Sequence, residues 1–410
     1  MNTTRTTLVS MALLTCMSMT SVFSAASAQT AYLPASASTE PAKDAFYTSP
    51  SATALTSSNP GDVLRYRTIP LGSYKSFTGA GYQLMYRTTN NDGAPSASVT
   101  TVLIPDNVPA TGRKLMSYQS MYDSLTLSCS PSYLTVQGKL FEESYLDAIL
   151  KAGVIVVMSD YEGLQSQWIA GKNTAHGVLD GIRAAIKFNK TGLNSTTPVG
   201  MMGFSGGGHA TGWAAEMASE YAPELNIVGA AMGGIPANVE SVANKVDGGA
   251  FASVYFGAVV GLARAYPAID PNKYATTAGI AMIKDMGNRC LLGMFEGQSD
   301  MLIKYAFQKS TKYLKDANFL KLPEIAAIIQ DNNMGSRIPS MPVYIYEGTN
   351  DEIMPIADVD ALVKAYCAAG VSVQYNRTGG DHLLMAIAPT PMRNFVLDRL
   401  NGKIAPNTCK

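Results

Sequence analysis

The chain has 410 residues, and its 31 Lys plus Arg are matched by 31 Asp plus Glu. This balance leaves no electrostatic footprint for nucleic acid or for an anionic membrane surface, so recognition has to come from a shaped site. The chain contains only three histidines, His176, His209 and His382, which narrows any histidine-based chemistry to three positions.

The first 28 residues read as a secretory signal. Met1 to Thr7 carries only Arg5, an apolar run follows over 8–23, and Ala26-Ser27-Ala28 supplies small residues for cleavage near Ala28. Export to an extracellular or periplasmic space is expected. Leu13-Leu14-Thr15-Cys16 loosely resembles a bacterial lipobox, but the threonine before the cysteine and the short apolar run argue against lipidation. Cleavage removes Cys16 and leaves Cys129, Cys290, Cys367 and Cys409, an even set that implies two disulfides in an oxidising compartment. Three pairings are open from sequence alone, and Cys129 with Cys290 and Cys367 with Cys409 is the favoured one.

Residues 29–60 are rich in Ser, Ala, Thr and Pro and read as an extended arm or linker. Core structure is expected from 61 onward. Segments 82–87 and 98–104 have β-type composition around an Asn90-Asn91-Asp92-Gly93 turn, which predicts antiparallel strands, and 114–118 is a further short strand. A helix over 141–151 ends at Gly153, a continuous apolar strand follows over 154–158, and 174–189 has helical spacing. With strands at 228–232 and 342–346, the alternation predicts a doubly wound α/β core over 61–234 and 340–410. The stretch 235–339 has helical patterns without strand alternation, and its apolar and aromatic content predicts a helical cap over a site. Its uncharged run over 248–263 is too short for a membrane span, so no transmembrane segment is expected in the mature protein.

The chemistry centres on Gly203-Phe204-Ser205-Gly206-Gly207, which joins an apolar strand to an Ala-rich helix. This is a nucleophile elbow: the flanking glycines make room for a strained turn that presents Ser205 at a helix start. There the free N–H of Gly206 and the positive helix end can stabilise an oxyanion. The order serine, acid, histidine makes His382 the base, because only it lies late enough; it sits in the loop Gly379-Gly380-Asp381-His382. His209, one turn along the elbow helix, is expected to pack locally, and His176 to supply polarity at the surface or cap. Asp351 is the first aspartate after strand 342–346 and is the expected acid; Glu352, Asp358 and Asp360 compete with it, and Asp381 lies too close to His382 to be preferred. The second oxyanion donor is expected after strand 114–118, at the backbone N–H of Asp123 with its side chain as an additional hydrogen-bonding group.

Five motifs together resemble the secretory lipase family of yeasts and bacteria. They are Tyr118-Gln119-Ser120 with Asp123, Cys129-Ser130-Pro131-Ser132, Asp160-Tyr161-Glu162-Gly163, Leu179-Asp180-Gly181-Ile182-Arg183 and the elbow itself. The resemblance implies an α/β-hydrolase fold with a mostly parallel sheet and an inserted helical cap or lid, acting on carboxylic esters and often on triacylglycerols. It places the triad on Ser205, Asp351 and His382, with oxyanion contributions from Asp123 and Gly206, and also favours the cysteine pairing given above. Such a mechanism calls for no metal or organic cofactor, and its partners are a lipid or small ester, met in some cases at a lipid–water interface. A short-chain esterase, an acyltransferase or a peptidase could use the same acyl-enzyme, and a non-catalytic secreted binding protein could retain the same fold. The Gly-rich run after Ser205 exceeds what an elbow requires, and the cap has no residue-by-residue match.

Overall fold

The computed structural model describes residues 1, 31–32, 39–71, 79–291 and 300–409. The expected signal, its cleavage site and Cys16 lie outside the described residues. Ten strands are described: β1 (Ala31–Tyr32), β2 (Val63–Ile69), β3 (Gly79–Thr89), β4 (Pro95–Pro105), β5 (Leu115–Gln119), β6 (Ile155–Ser159), β7 (Val199–Phe204), β8 (Ile227–Gly233), β9 (Val343–Gly348) and β10 (Val373–Thr378). They form one sheet in the order β1-β2-β3-β4-β6-β5-β7-β8-β9-β10. The pairs β2–β3, β3–β4 and β4–β6 are antiparallel, and every pair from β6 to β10 is parallel.

Side-chain alternation along the central strands explains why helices cover both faces. Leu115, Val157, Met201, Met232 and Ile345 point to one side, where they pack with Val178 and Ile182 of helix Gly171–Lys187, Ala214 of Gly206–Tyr221 and Leu362 of Ile356–Ala368. Met116, Val156, Met202, Ala231 and Tyr344 point to the other, against Leu146 and Leu150 of Glu143–Lys151 and Phe395 and Val396 of Thr390–Leu400. The result is the three-layer α/β-hydrolase architecture. Strand order reverses around β5, and the crevice beyond the carboxyl ends of β5, β7 and β9 is where such sheets bind ligands.

The segment expected as a loose arm is packed over its described part. Phe46 and Tyr47 enter an apolar cluster with Met85, Ala97 and Val99, and Asp44 forms a buried 2.6 Å ion pair with Arg67. Two adjacent aromatic rings gain more from burial than the surrounding Ser, Ala and Pro residues would indicate.

Between β8 and β9 the chain forms helices including Val239–Val246, Ala252–Ala265, Thr277–Met286, Met301–Tyr305 and Pro323–Asp331. They share a separate apolar cluster containing Val242, Tyr255, Phe256, Met286, Met301 and Ile325, with Trp168 contributed by the sheet domain. Trp168 lies on Gly257 and Gly261 of Ala252–Ala265; a Cβ at Gly257 would stand 1.7 Å from the indole and one at Gly261 2.3 Å from the Trp168 carbonyl. Two glycines one helical turn apart thus let an aromatic side chain of the core key into the insertion. The disulfide Cys129–Cys290 ties the two regions covalently, and Cys367–Cys409 fixes the C-terminal tail beside β10.

Candidate active site

Ser205 stands between β7 and helix Gly206–Tyr221 with φ 54° and ψ −122°, a conformation that L-residues rarely adopt. The elbow closes this tightly because its glycines have backbone where a Cβ would be. At Gly203 a Cβ would meet the Gly207 carbonyl at 2.2 Å, and at Gly207 it would meet the Gln119 carbonyl at 2.0 Å. Ser205 is thereby held above the sheet, with its own N–H donating to the Gly233 carbonyl at 2.9 Å.

His382 begins the short helix His382–Ala386, and its Nε2 lies 2.9 Å from Ser205 Oγ while its Nδ1 lies 2.6 Å from Asp351 Oδ2. Asp351 follows β9, and its Oδ1 accepts the amides of Ile353 at 2.8 Å and Met354 at 2.6 Å. Burial opposes its ionisation, but the His382 contact and the donors around it hold its carboxyl below the usual range. With an ionised carboxylate at Nδ1, the neutral imidazole carries its proton there and leaves Nε2 as the acceptor facing Ser205.

The other acids have separate partners. Glu352 Oε2 accepts the His382 amide at 2.7 Å, so it holds His382 by its backbone without meeting its ring nitrogens. Asp381 caps the His382 helix through the Leu384 amide at 2.8 Å, Asp360 accepts from Tyr375, and Asp358 lies in the first turn of Ile356–Ala368. His209 is buried one turn from Ser205, burial pushes its pKa down to about 3, and it packs beside Trp213. His176 departs from the surface or cap position expected of it. It is buried, with Nδ1 3.1 Å from the Thr89 carbonyl and its ring 4.1 Å from that of Tyr221, and burial lowers its pKa to about 4. It lies within helix Gly171–Lys187, which begins earlier than the helical spacing over 174–189 indicated.

Asp123 occupies the loop after β5 with φ 33° and is buried. Its carboxyl, more than its backbone, defines its place: it lies against Gly206, where a Cβ would stand 1.7 Å from Asp123 Oδ1. Burial pushes this carboxyl up to about 7, against the lowering effects of His382 and the Gly206 amide. The Asp123 carboxyl and the Gly206 amide stand side by side next to Ser205, lining one cavity with it.

This loop is supported by residues of the motifs at 118–120, 129–132 and 160–163, and by Glu142, which no motif marks. Glu142 accepts Ser120 Oγ at 2.9 Å and the Met121 amide at 2.9 Å, Glu162 accepts the Ser124 amide at 3.3 Å, and Tyr161 donates its hydroxyl to the Ser120 carbonyl at 2.6 Å. Asp160 in turn accepts the amide and hydroxyl of Ser132 at 2.9 and 2.5 Å. The 160–163 motif is thus the buttress of the loop that carries Asp123. Asp180 of the 179–183 motif accepts from Thr88, Tyr221 and Arg183, each at 2.8 Å, and so pins its helix to β3 and the elbow helix. A signal for Glu142 exists only as charge within apolar surroundings, which the sequence does not distinguish from surface charge, whereas Glu162 is marked by the 160–163 motif.

Above Ser205 opens a cavity of about 320 Å³, whose floor is Asp123, Ser205, Gly206 and His382. Its walls are apolar and come mainly from the helices between β8 and β9, including Val242, Val254, Ala258, Leu302, Phe319 and Ile329. Lys245 of the same region donates to the Asp351 carbonyl at 2.5 Å, linking the insertion to the loop of the acid. Among the described residues no group of three or more His, Cys, Asp or Glu side chains is arranged to hold a metal ion, and no helix is long and apolar enough to cross a membrane.

A profile of the family described as Secretory lipase matches residues 130–408. The chain is 32% identical over 394 residues to Lipase A of Arthroderma benhamiae, covering 90% of this chain and 82% of that protein. It is 34% identical over 364 residues to the trichothecene C-3 esterase of Fusarium sporotrichioides, covering 83% and 79%. Among solved structures, Candida antarctica lipase A in its closed state superposes with a TM-score of 0.84 at 31% identity, over 91% of this chain and 89% of that one.

Proposed function

This chain belongs to the secretory lipase family and is a carboxylic-ester hydrolase, and from that premise we propose that Ser205, His382 and Asp351 are its catalytic triad, with Asp123 and Gly206 as its oxyanion donors. The observation that carries this reading is the hydrogen-bonded relay Ser205–His382–Asp351, at 2.9 and 2.6 Å, on the floor of an apolar cavity. As Ser205 Oγ attacks the ester carbonyl, its proton passes to His382 Nε2, and Asp351 stabilises the imidazolium that forms. The tetrahedral oxygen, now negative, takes hydrogen bonds from the Gly206 N–H and the protonated Asp123 carboxyl. Collapse of this intermediate expels the alcohol, which receives the proton from His382 and leaves an acyl group on Ser205. Water, activated by the same imidazole, then releases the acid.

The helices over 235–339 act in this reading as a cap that receives the acyl chain. Apolar walls bind an alkyl chain by removing it from water, about 0.8 kcal/mol for each CH₂, and need no orienting polar partner. Long-chain acyl esters, triacylglycerols among them, fit this cavity better than polar ones. The protein is extracellular; the finer reading is export through a signal cleaved near Ala28.

The test is hydrolysis of p-nitrophenyl esters from acetate to palmitate, below and above substrate aggregation, by the mature protein and its Ser205→Ala variant. Loss of turnover by about 10⁴-fold or more in the variant is expected, together with a preference for long chains in the parent. Activity that survives Ser205→Ala would remove the nucleophile from this scheme. A preference for acetate would make the enzyme a short-chain esterase, a reading given weight by the esterase among its relatives.

A further inference from the structure

Glu347 is the penultimate residue of β9 and stands four residues before Asp351 in the chain. It is fully buried. Its Oε2 accepts the Ile235 amide at 3.3 Å, the Gly348 amide also faces the carboxyl, and its Oε1 has no side-chain N–H or hydroxyl donor. The group that its carboxyl meets by a side-chain hydrogen bond is the carboxyl of Asp351. A contact between two carboxyl groups can form only if one of them retains its proton, and two buried carboxylates cannot both ionise at this distance.

The donor count decides which one ionises. Asp351 accepts two short backbone amides on Oδ1 and the imidazole Nδ1 on Oδ2. Glu347 has only backbone amides, Ile235 at 3.3 Å and Gly348, and no imidazole partner. The negative charge therefore belongs on Asp351 and the proton on Glu347, and the direction in which burial and the neighbouring carboxylate push Glu347, well above the usual range, agrees.

We infer that Glu347 is a positioning residue of the hydrolytic site, an un-ionised carboxylic acid that donates its proton in a hydrogen bond to the Asp351 carboxylate and so fixes the orientation and charge of the group that holds His382. The inference rests on the reading of Asp351 as the catalytic acid. The other titratable groups facing this pair are His382, Glu352 at the His382 amide, Lys245 at the Asp351 carbonyl, Tyr346 beside Glu347 on β9, Tyr375 on β10 and, across the imidazole, Asp123. Lys245 supplies one cation toward the pair's one negative charge. The proton from Glu347 takes up part of the carboxylate's charge, which tempers its pull on the imidazolium. The hydrogen bond also holds the Asp351 plane where Oδ2 meets Nδ1.

Glu347→Gln and Glu347→Leu separate this role from simple packing. The Gln amide can still donate to Asp351, so turnover within about threefold of the parent and an unchanged pH profile are expected; Leu leaves Asp351 without this donor, and kcat should fall about 10- to 100-fold with little change in KM. The acid limb of the kcat profile should also move to higher pH in the Leu variant, because an untempered carboxylate holds the imidazolium more tightly. The downfield proton resonance of the His382 Nδ1–H should move in Leu and stay in Gln.

A direct reading needs only the parent and the isosteric Gln variant. The infrared difference between them at neutral pH should show loss of one protonated carboxyl band. Loss of a carboxylate band instead, or equal kinetics in folded Gln and Leu variants, would overturn the inference. If Leu does not fold, the infrared difference decides alone. Labelling of Ser205 by a fluorophosphonate keeps the two readings apart. Failure to label the folded parent would sink the triad, whereas a labelled parent whose Glu347 variants behave alike would sink only the role given to Glu347.

Discussion

The sheet domain and the helical insertion between β8 and β9 contribute to one cavity by different physical means. The sheet domain contributes a few polar groups, each held by backbone at a strand end: Ser205 after β7, Asp351 after β9, Asp123 after β5. Ser205 and Asp123 tolerate almost no change, because each has a strained φ, and Ser205 is flanked by glycines that have backbone where a Cβ would be. The insertion contributes many apolar side chains, none of which has a unique partner. Its part in the site is volume and dryness, so exchanging one wall residue for another should alter what fits before it alters what reacts.

That contrast is broken most severely at the acid. Asp351→Asn keeps the volume but offers an amide where the imidazole N–H needs a carboxylate, and kcat for a p-nitrophenyl ester should fall about 10³- to 10⁴-fold with the melting curve little changed. Activity near that of the parent would exclude this acid. Gly206→Ala tests the sheet domain's intolerance of a single methyl group. The added Cβ would lie 1.7 Å from Asp123 Oδ1, and the displaced oxyanion donors should cost about 10²- to 10³-fold in kcat.

The insertion should respond differently. Ala258→Phe places a ring within the cavity wall, and the palmitate-to-acetate ratio of kcat/KM should drop about 10- to 100-fold as the space for distal methylenes is filled. A uniform loss across all chain lengths would mean that the insertion also positions the reacting groups.

The smallest effect expected is one of pH. Burial pushes the Asp123 carboxyl up to about 7, and in the proposed mechanism it donates to the oxyanion only while protonated. Activity should therefore decline as pH rises through about 7, and Asp123→Asn, which keeps a donor at all pH values, should flatten that decline. Stability carries the same sign. Asp123 and Asp160 both titrate near 7 when folded but near about 4 in the unfolded chain. Between those values the folded state binds more protons, so the stability these two groups contribute should fall as pH rises across that window. Urea denaturation at pH 5 and pH 8 checks this direction.

Much of the hydrolase core could be read before any coordinates, because its elements are local and repetitive. Apolar strands of four to six residues, each followed by a periodic helix, specify a covered parallel sheet, and Gly203, Ser205 and Gly207 carry the elbow within five positions. That His382 and Asp351 would come together at Ser205 was legible through their order along the chain and the place of Asp351 after a strand. The described part of the arm was misread, since Phe46 and Tyr47 find partners on β3 and β4 that are distant in sequence. His176 was misread for the same reason: its neighbours, Thr89 and Tyr221, come from other elements.

What the sequence determined by itself was therefore the chemistry of the site: a serine on a glycine-framed turn, one late histidine, an acid after a strand, and helices covering the sheet. Tertiary structure alone decided how that chemistry is supported and what it can accept. It made Glu142 and Glu162 the buried braces of the Asp123 loop, set Glu347 against Asp351, and turned the apolar insertion into the wall of a cavity. The physical reason is that burial belongs to no residue type. A carboxyl becomes a brace or a proton donor only when elements far apart in the chain close around it and take its water away.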